Sequence, residues 1–298
     1  MAKTKKIILP GPDDYNIPPE NFQDYTVLLM GAKGIGKTTA SSSFPGNLNI
    51  MWEPRRKNVK LRMIGADEGI MVRPAQDIID GADDPWQLFI EYCAAAVDDP
   101  TVTTITFDTV DLAYQACFES VCARLGVTHP NQIKDDYGAS WNTIKNEFNA
   151  LIDTIRASEK LGLLLISHVK ERDQEFQDGS GTLSIIGPSC APACVQILKS
   201  ACEFWLYYGW KDGERTIFCR DPDRIIDVAC GTGFINPDTG EPLNSFTIPS
   251  DPTLFYDTLN SAFKGGSDSS SVSKRRPLKK AGKKKVTKKK GAKRKKTN

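Results

Sequence analysis

The sequence predicts an α/β domain with a mainly parallel central sheet and helices on both faces of that sheet. Short apolar or β-branched runs of strand length alternate along the chain with longer segments of helical periodicity. The segments between these runs are long enough for the crossover helices that parallel strands require. In addition, a glycine-rich loop separates the first run from the first helix, as in strand–loop–helix units.

The elements follow one another in a regular order. Strands are expected at residues 25–30, 48–52, 101–107, 161–167, 202–210 and 214–220. Helices are expected directly after the glycine-rich loop and at residues 85–97, 110–125, 140–160 and 193–200. We interpret the polar segment 173–181 as a loop and the late strands as antiparallel additions to the sheet. Residues 55–84 have weak periodicity and give no firm prediction.

Composition divides the chain into three parts. Residues 1–24 are rich in proline and polar residues, which favours an extended N-terminal arm. Residues 25–262 hold all the predicted elements and form the expected domain. Residues 263–298 are expected to be a flexible linker and a disordered, lysine-rich tail, since they contain almost nothing to bury.

Bulk features exclude two classes of protein. No apolar run approaches the roughly 18–20 residues that a membrane span requires, and we therefore expect no membrane association. The 8 cysteines form no CxxC pair, which favours reduced, buried thiols over a disulfide framework. We expect a cytoplasmic protein.

The glycine-rich loop has the spacing of a phosphate-binding P-loop, Gly31-x4-Gly36-Lys37-Thr38. Glycines allow backbone N–H groups to curl around a polyphosphate. Lys37 would contact the β- and γ-phosphates of ATP, and the Thr38 hydroxyl would bind Mg²⁺. The expected nucleotide-binding residues are Gly31, Ala32, Lys33, Gly34, Ile35, Gly36, Lys37, Thr38 and Thr39.

An acidic residue follows the third predicted strand. Asp108 ends the run TVTTITFD, and ligands in open α/β sheets bind at the carboxyl ends of the strands. Asp108 is therefore expected to bind Mg²⁺ together with Thr38, and it could also cap the helix that follows.

Further polar residues end other strands and are candidates for catalysis. Hydrolysis needs a carboxylate that accepts a proton from the attacking water, and Glu53 after LNIMW is our first candidate, with Glu68 as its rival. His168 follows LGLLLIS and could sense the γ-phosphate, and Ser167 and Lys170 could share that role.

Several blocks together resemble the phage-encoded RecA-like nucleotide-binding proteins. These blocks are GAKGIGKTT, SSSFPGNLNIMWEP, ITFDTVD, DYGASWNTIKNEF and LLLISHVKER, and the resemblance covers residues 24–234. It implies a RecA-type core, binding of Mg²⁺ and ATP, and a role in DNA recombination or replication. Some members act as single-strand annealing proteins. The resemblance also favours Glu53 over Glu68 as the catalytic carboxylate.

The charge of the chain is divided unevenly. Residues 274–298 hold 15 of the 39 Lys and Arg residues and none of the 37 Asp and Glu residues, which leaves a net charge of −13 on the rest. Such a tail favours nucleic-acid phosphates as its partner. Because the tail has no aromatic residue to stack on bases, any strand preference must come from the domain.

These features and the resemblance together predict an ATPase that binds DNA, expected to be single-stranded, in the cytoplasm, which is that of the host cell if the protein is phage-encoded. A homo-oligomer is expected, in which Arg215, Arg220 or Arg224 could act on a neighbouring subunit's nucleotide. A single-strand binding protein is a further expected partner. Two alternatives stay open: a P-loop kinase of small molecules, and a loader that binds ATP without hydrolysing it.

Overall fold

A computed structural model describes residues 19–54, 59–158, 160–175, 181–223, 225–230, 233–236 and 239–264. The predicted tail and most of the predicted arm lie outside these residues. None of the helices among these residues is long and apolar enough to cross a bilayer.

An eight-stranded sheet forms the centre of the domain. Its strands are β1 (Thr26–Gly31), β2 (Asn47–Met51), β3 (Met63–Ile64), β4 (Thr104–Asp108), β5 (Gly162–Ser167), β8 (Phe204–Lys211), β9 (Glu214–Phe218) and β10 (Ser245–Thr247). Their order across the sheet is β10-β9-β8-β1-β5-β4-β2-β3. The six strands from β8 to β3 in this order pair in parallel, whereas β9 and β10 are antiparallel additions at one edge. This arrangement confirms the mainly parallel sheet and the late antiparallel strands.

Helices cover both faces of the sheet. They are α1 (Lys37–Ser41), α2 (Ala75–Ile79), α3 (Pro85–Asp98), α4 (Val110–Arg124), α5 (Ala139–Arg156), α6 (Pro192–Ala201) and α7 (Phe255–Lys264). Strand β1 shows why two cores form. Leu28 packs into one core with residues of α3 to α6, while Val27 and Leu29 pack into the other with residues of α1 and α7. Successive side chains of a strand point to opposite faces, so a strand covered on both sides is apolar throughout.

The structure corrects two predictions. Of the segment predicted as a loop at residues 173–181, residues 173–175 belong to a strand, and 176–180 lie outside the described residues. That strand, β6 (Val169–Glu175), pairs with β7 (Thr182–Pro188) in a two-stranded antiparallel hairpin. At the amino end, Phe22–Asp24 forms a 3-10 helix, and the Phe22 side chain is fully buried against Phe204 and Phe234. Phe22 therefore belongs to the domain and not to the arm. Helix α7 was not predicted, and it runs two residues past the predicted domain end at 262.

Gly162 lies at the start of β5, where the chain passes very close to the segment before β1. A Cβ atom at this position would lie 1.4 Å from the carbonyl oxygen of Gln23. We expect Gly162→Ala to lower the free energy of unfolding by about 3 kcal/mol or more, because backbone must move to relieve the clash. Urea denaturation monitored by circular dichroism measures this change.

Gly187→Ala is the matched control, since a Cβ atom on that strand glycine would meet nothing closer than 3.8 Å. Its stability should stay within about 1 kcal/mol of the original chain. Equal stability of the two variants would contradict the close approach at Gly162.

Candidate nucleotide-binding site

The loop between β1 and α1 depends on three glycines for its path. Gly34 and Gly36 have φ angles of +86° and +112°, in the left-handed region where side chains are disfavoured. Gly31 lies against the neighbouring strand, where a Cβ atom would be 2.4 Å from the Tyr208 carbonyl oxygen. The spacing of the motif therefore gives the backbone a tight curve at the carboxyl end of β1.

Lys37 begins α1 and turns its side chain back across this loop. Its Nζ donates hydrogen bonds to the carbonyl oxygens of Gly31 at 2.7 Å and Ala32 at 3.0 Å. The residue is only 5% exposed, so its charge depends on such partners. The ammonium group is thus held at the place where the loop would receive phosphate oxygens.

Thr38 and Asp108 meet even though 70 residues separate them. The Thr38 hydroxyl donates to Asp108 Oδ2 at 2.6 Å, and both residues are buried. They meet because only β5 lies between β1 and β4, so that Gly31 and Asp108 end parallel strands at the same edge of the sheet. A hydroxyl and a carboxylate are oxygen ligands of the kind that Mg²⁺ binds, so these residues fit the predicted metal site.

His168 joins Lys37 to Glu53. Its Nδ1 lies 3.3 Å from Lys37 Nζ, and its Nε2 lies 2.7 Å from Glu53 Oε1. Because a lysine ammonium can only donate, Nδ1 must be the accepting nitrogen. The hydrogen of a neutral imidazole is then on Nε2, which donates to the Glu53 carboxylate. Lys37, His168 and Glu53 therefore form one hydrogen-bonded chain at the carboxyl edge of the sheet.

The other catalytic candidates do not join this chain through their side-chain contacts. Glu68 is exposed, and its Oε2 accepts a hydrogen bond from the Gly65 N–H at 2.8 Å. Ser167 donates to the His168 carbonyl oxygen at 2.8 Å, and Lys170 lies exposed on β6. The structure thus brings Glu53 and His168 to the phosphate loop and leaves Glu68 in its own turn.

The remaining residues of the loop have different environments. Ala32, Lys33 and Gly34 are exposed, whereas the Ile35 side chain is buried in the core on the α7 side. Only the backbone of Ile35 can therefore face a nucleotide.

A cavity of about 240 Å³ adjoins the loop. The sequence did not predict which residues far along the chain line it. Besides Gly34, Gly36, Thr39 and Ala40, it is lined by Val59, Tyr208, Arg215, Pro252 and Phe255. These five come from four separate segments, which only the folded sheet brings together. Arg215 was proposed from the sequence as a cation for a neighbouring subunit, but here it lines the cavity of its own chain.

The cysteines are free thiols, and all but Cys202 are buried. Burial raises the pKa of Cys122 and of Cys219 to about 11, so both stay protonated at neutral pH. They have no part in the site described above.

A family model described as an AAA domain matches residues 23–224, more than half of the chain. The chain belongs to the AAA domain family. The AAA domain match contains Lys37, Glu53, Asp108 and His168, but it ends before β10 and α7. With the sheet order described above, it confirms the predicted P-loop NTPase fold of RecA type.

Among solved structures, the AAA domain chain is similar to a KaiC-like protein from the hyperthermophilic archaeon Pyrococcus horikoshii OT3. The two share 11% sequence identity with a TM-score of 0.37, and the similarity covers 78% of this chain and 88% of the other. No curated protein matches the sequence.

Proposed function

We propose that this AAA domain protein is a Mg²⁺-dependent ATPase that binds single-stranded DNA and acts in phage recombination, annealing or replication. The observation that carries the proposal is the hydrogen-bonded chain from Lys37 through His168 to Glu53. The side chains of Lys37, His168 and Glu53 lie side by side in it, and its middle residue, His168, directly precedes the β6–β7 hairpin.

In the proposed reaction, Lys37 exchanges its carbonyl partners for the β- and γ-phosphate oxygens of ATP. Thr38 and Asp108 would hold Mg²⁺, which when bound neutralises phosphate charge. Glu53 accepts a proton from the water that attacks the γ-phosphorus, and the bond between this phosphorus and the β–γ bridging oxygen breaks. His168 positions the Glu53 carboxylate through its Nε2 hydrogen.

The position of His168 suggests how the nucleotide state reaches another surface. Val169 begins β6 directly after it, and the Ser189 N–H at the end of β7 donates to the His168 carbonyl oxygen at 2.8 Å. Both ends of the hairpin are thus tied to one residue. We propose that ATP binding shifts His168, changes the position of the β6–β7 hairpin and alters the affinity for DNA, and that hydrolysis resets this change.

DNA binding is proposed from charge. The 15 basic residues of 274–298 would contact phosphates, and the hairpin would supply any preference for single strands. A homo-oligomer in the host cytoplasm and a single-strand binding protein as partner complete the proposal. Two further arginines were candidates for action on a neighbouring subunit's nucleotide. Arg224 lies outside the described residues, and the Arg220 guanidinium donates hydrogen bonds to the carbonyl oxygens of Phe234 and Leu243.

The test is the rate of ATP hydrolysis with and without single-stranded DNA, measured on the intact chain and on Lys37→Ala. We expect DNA to change the rate of ATP hydrolysis by the intact chain. The Lys37→Ala variant should not hydrolyse ATP with or without DNA. If DNA changes neither turnover nor ATP affinity, the proposal fails. ATP binding without turnover would support the loader, and phosphate transfer to a nucleotide or sugar would support the kinase.

A chain that ends at Ser273 tests the role of the tail. If about ten tail charges meet single-stranded phosphates, the logarithm of the binding constant falls with the logarithm of salt concentration at a slope near −7. Without the tail, the slope should approach zero and the affinity at low salt should fall by orders of magnitude. Fluorescence anisotropy of a labelled oligonucleotide measures both, and an unchanged slope would contradict the proposed contact.

A further inference from the structure

The cavity beside the phosphate loop lies on the side of α1 away from the catalytic chain. Thr39 and Ala40 line it, whereas Asp108, His168 and Glu53 do not. In the proposed function, the γ-phosphate faces Glu53 and His168. The nucleoside at the other end of the triphosphate would then point into the cavity.

The walls of this cavity combine apolar surface with one cation. Tyr208 and Phe255 pack edge to face, with ring centroids 5.4 Å apart, and Pro252 lies beside them. Arg215 reaches the cavity from β9. This combination suits a flat heterocyclic ring joined to a sugar, because rings gain from apolar contact and their nitrogen and oxygen atoms accept hydrogen bonds from a guanidinium.

The Arg215 side chain lies beside two aromatic residues, Trp210 and Tyr208. Its guanidinium carbon lies 5.5 Å from the centre of the Trp210 ring. Burial raises the pKa of Tyr208, and the positive charge of the neighbouring Arg215 opposes this rise. Among the described residues, the buried Arg215 Nε has no hydrogen-bond partner. A buried donor without a partner costs free energy, so this position of the arginine is not explained by a contact within the described part of the chain.

We infer that Arg215, which lies beside Tyr208 and Trp210, is the residue that binds the nucleoside part of the substrate. This inference rests on the proposed function, because it assumes a nucleoside triphosphate in the loop. Arg215 then acts on the nucleotide of its own chain.

The same walls predict weak discrimination between purines. No Asp or Glu side chain lines the cavity within the described part of the chain. A carboxylate would be the natural acceptor for the N–H groups of a guanine edge. Contact with a ring face and one guanidinium does not distinguish strongly between adenine and guanine. We therefore expect dissociation constants for ATP and GTP within about 10-fold of each other.

The experiment compares three ligands, ATP, GTP and inorganic triphosphate, by calorimetric titration of the full chain with Mg²⁺. We expect Arg215→Ala to lower the affinities for ATP and GTP by about 10-fold or more, which is the effect of losing a hydrogen bond to a charged group. Its affinity for inorganic triphosphate should stay unchanged. Tyr208→Phe, which removes a polar group of the cavity wall but keeps the ring, should give a smaller loss with the same pattern.

Arg62→Ala is the matched control. Arg62 is an exposed arginine that pairs with Asp99 at 2.7 Å, away from the cavity, so all three affinities should match those of the original chain. Circular dichroism of each variant shows whether it is folded.

Other results would overturn the inference. An equal loss of ATP and triphosphate affinity in Arg215→Ala would mean that Arg215 contacts phosphates. Equal affinities of the original chain for ATP and for inorganic triphosphate would mean that the cavity contributes nothing to binding. Affinities for GTP and ATP that differ by about 100-fold would mean that the protein recognises the hydrogen-bonding edge of the base. If the original chain bound neither ATP nor triphosphate, the proposed function would fail as well.

Discussion

Glu53→Gln is expected to lower kcat for ATP hydrolysis by about 10²- to 10⁴-fold, the usual contribution of a general base. The affinity for ATP should change little, because an amide fills the same space and can still accept from His168 Nε2. A glutamine side chain cannot take a proton from water at neutral pH. Steady-state kinetics and a separate binding titration measure the two quantities.

Glu68→Gln is the matched control for this prediction. The Glu68 carboxylate accepts from the Gly65 N–H, and a glutamine carbonyl oxygen can accept the same hydrogen bond. We expect kcat within about 2-fold of the original chain, as is usual for an exposed position away from a site. A large loss of kcat in Glu68→Gln, with none in Glu53→Gln, would reverse the assignment.

The sequence was most informative where burial dictates the residue type. Strands β1, β4 and β5 are buried along their whole length, so each was visible as an unbroken apolar or β-branched run. Where such a run stops at a polar residue, as at Asp108 or His168, the polar residue lies at the edge where parallel strands end. This is why residues far apart in sequence could be expected in one site.

The β6–β7 hairpin could not be recognised in the same way. Its strands pair with each other and, through one bridge, with Ile226, but not with the central sheet. In addition, β6 begins with Val169-Lys-Glu-Arg-Asp173, which has little apolar pattern. A two-stranded ribbon with solvent on its surface does not need the apolar alternation of a half-buried strand. Its register became visible only from the backbone pairing of Val169 with Pro188.

The cavity that we propose binds the nucleoside was not predicted from the sequence, for a different reason. Tyr208, Arg215 and Phe255 are ordinary strand or helix residues in the sequence, and no short spacing relates them to the phosphate loop. They reach it because β8 pairs directly with β1, β9 pairs with β8, and α7 packs against α1. Such neighbours follow from strand order, which sequence periodicity does not specify.

The Lys37 side chain has hydrogen-bond partners within the loop itself. Its ammonium group is already satisfied by the carbonyl oxygens of Gly31 and Ala32. Phosphate oxygens therefore replace existing hydrogen bonds and do not capture an exposed charge. Because Lys37 also contacts His168, the same exchange would alter the partner of the residue that begins the hairpin.

Lys37→Ala is expected to weaken ATP binding by about 10²-fold and to bring turnover below detection. A hydrogen bond between charged groups contributes about 1.5 to 3 kcal/mol, and the loss of charge stabilisation in the transition state adds about 10²- to 10³-fold in rate. The substitution also leaves the Gly31 and Ala32 carbonyls without this donor, so a loss of about 1 to 3 kcal/mol in folding stability is expected. Calorimetric titration, phosphate release and urea denaturation measure the three effects.

Lys199→Ala is the matched control for Lys37→Ala, since it removes an equal charge far from the loop. Lys199 is about half exposed, and it pairs with Asp227 at 3.2 Å on the surface. Such pairs contribute little, so ATP affinity, turnover and stability should all stay close to those of the original chain. If Lys37→Ala bound and hydrolysed ATP as Lys199→Ala does, the buried ammonium would be a structural group alone. The loop would then need another cation to hold a triphosphate.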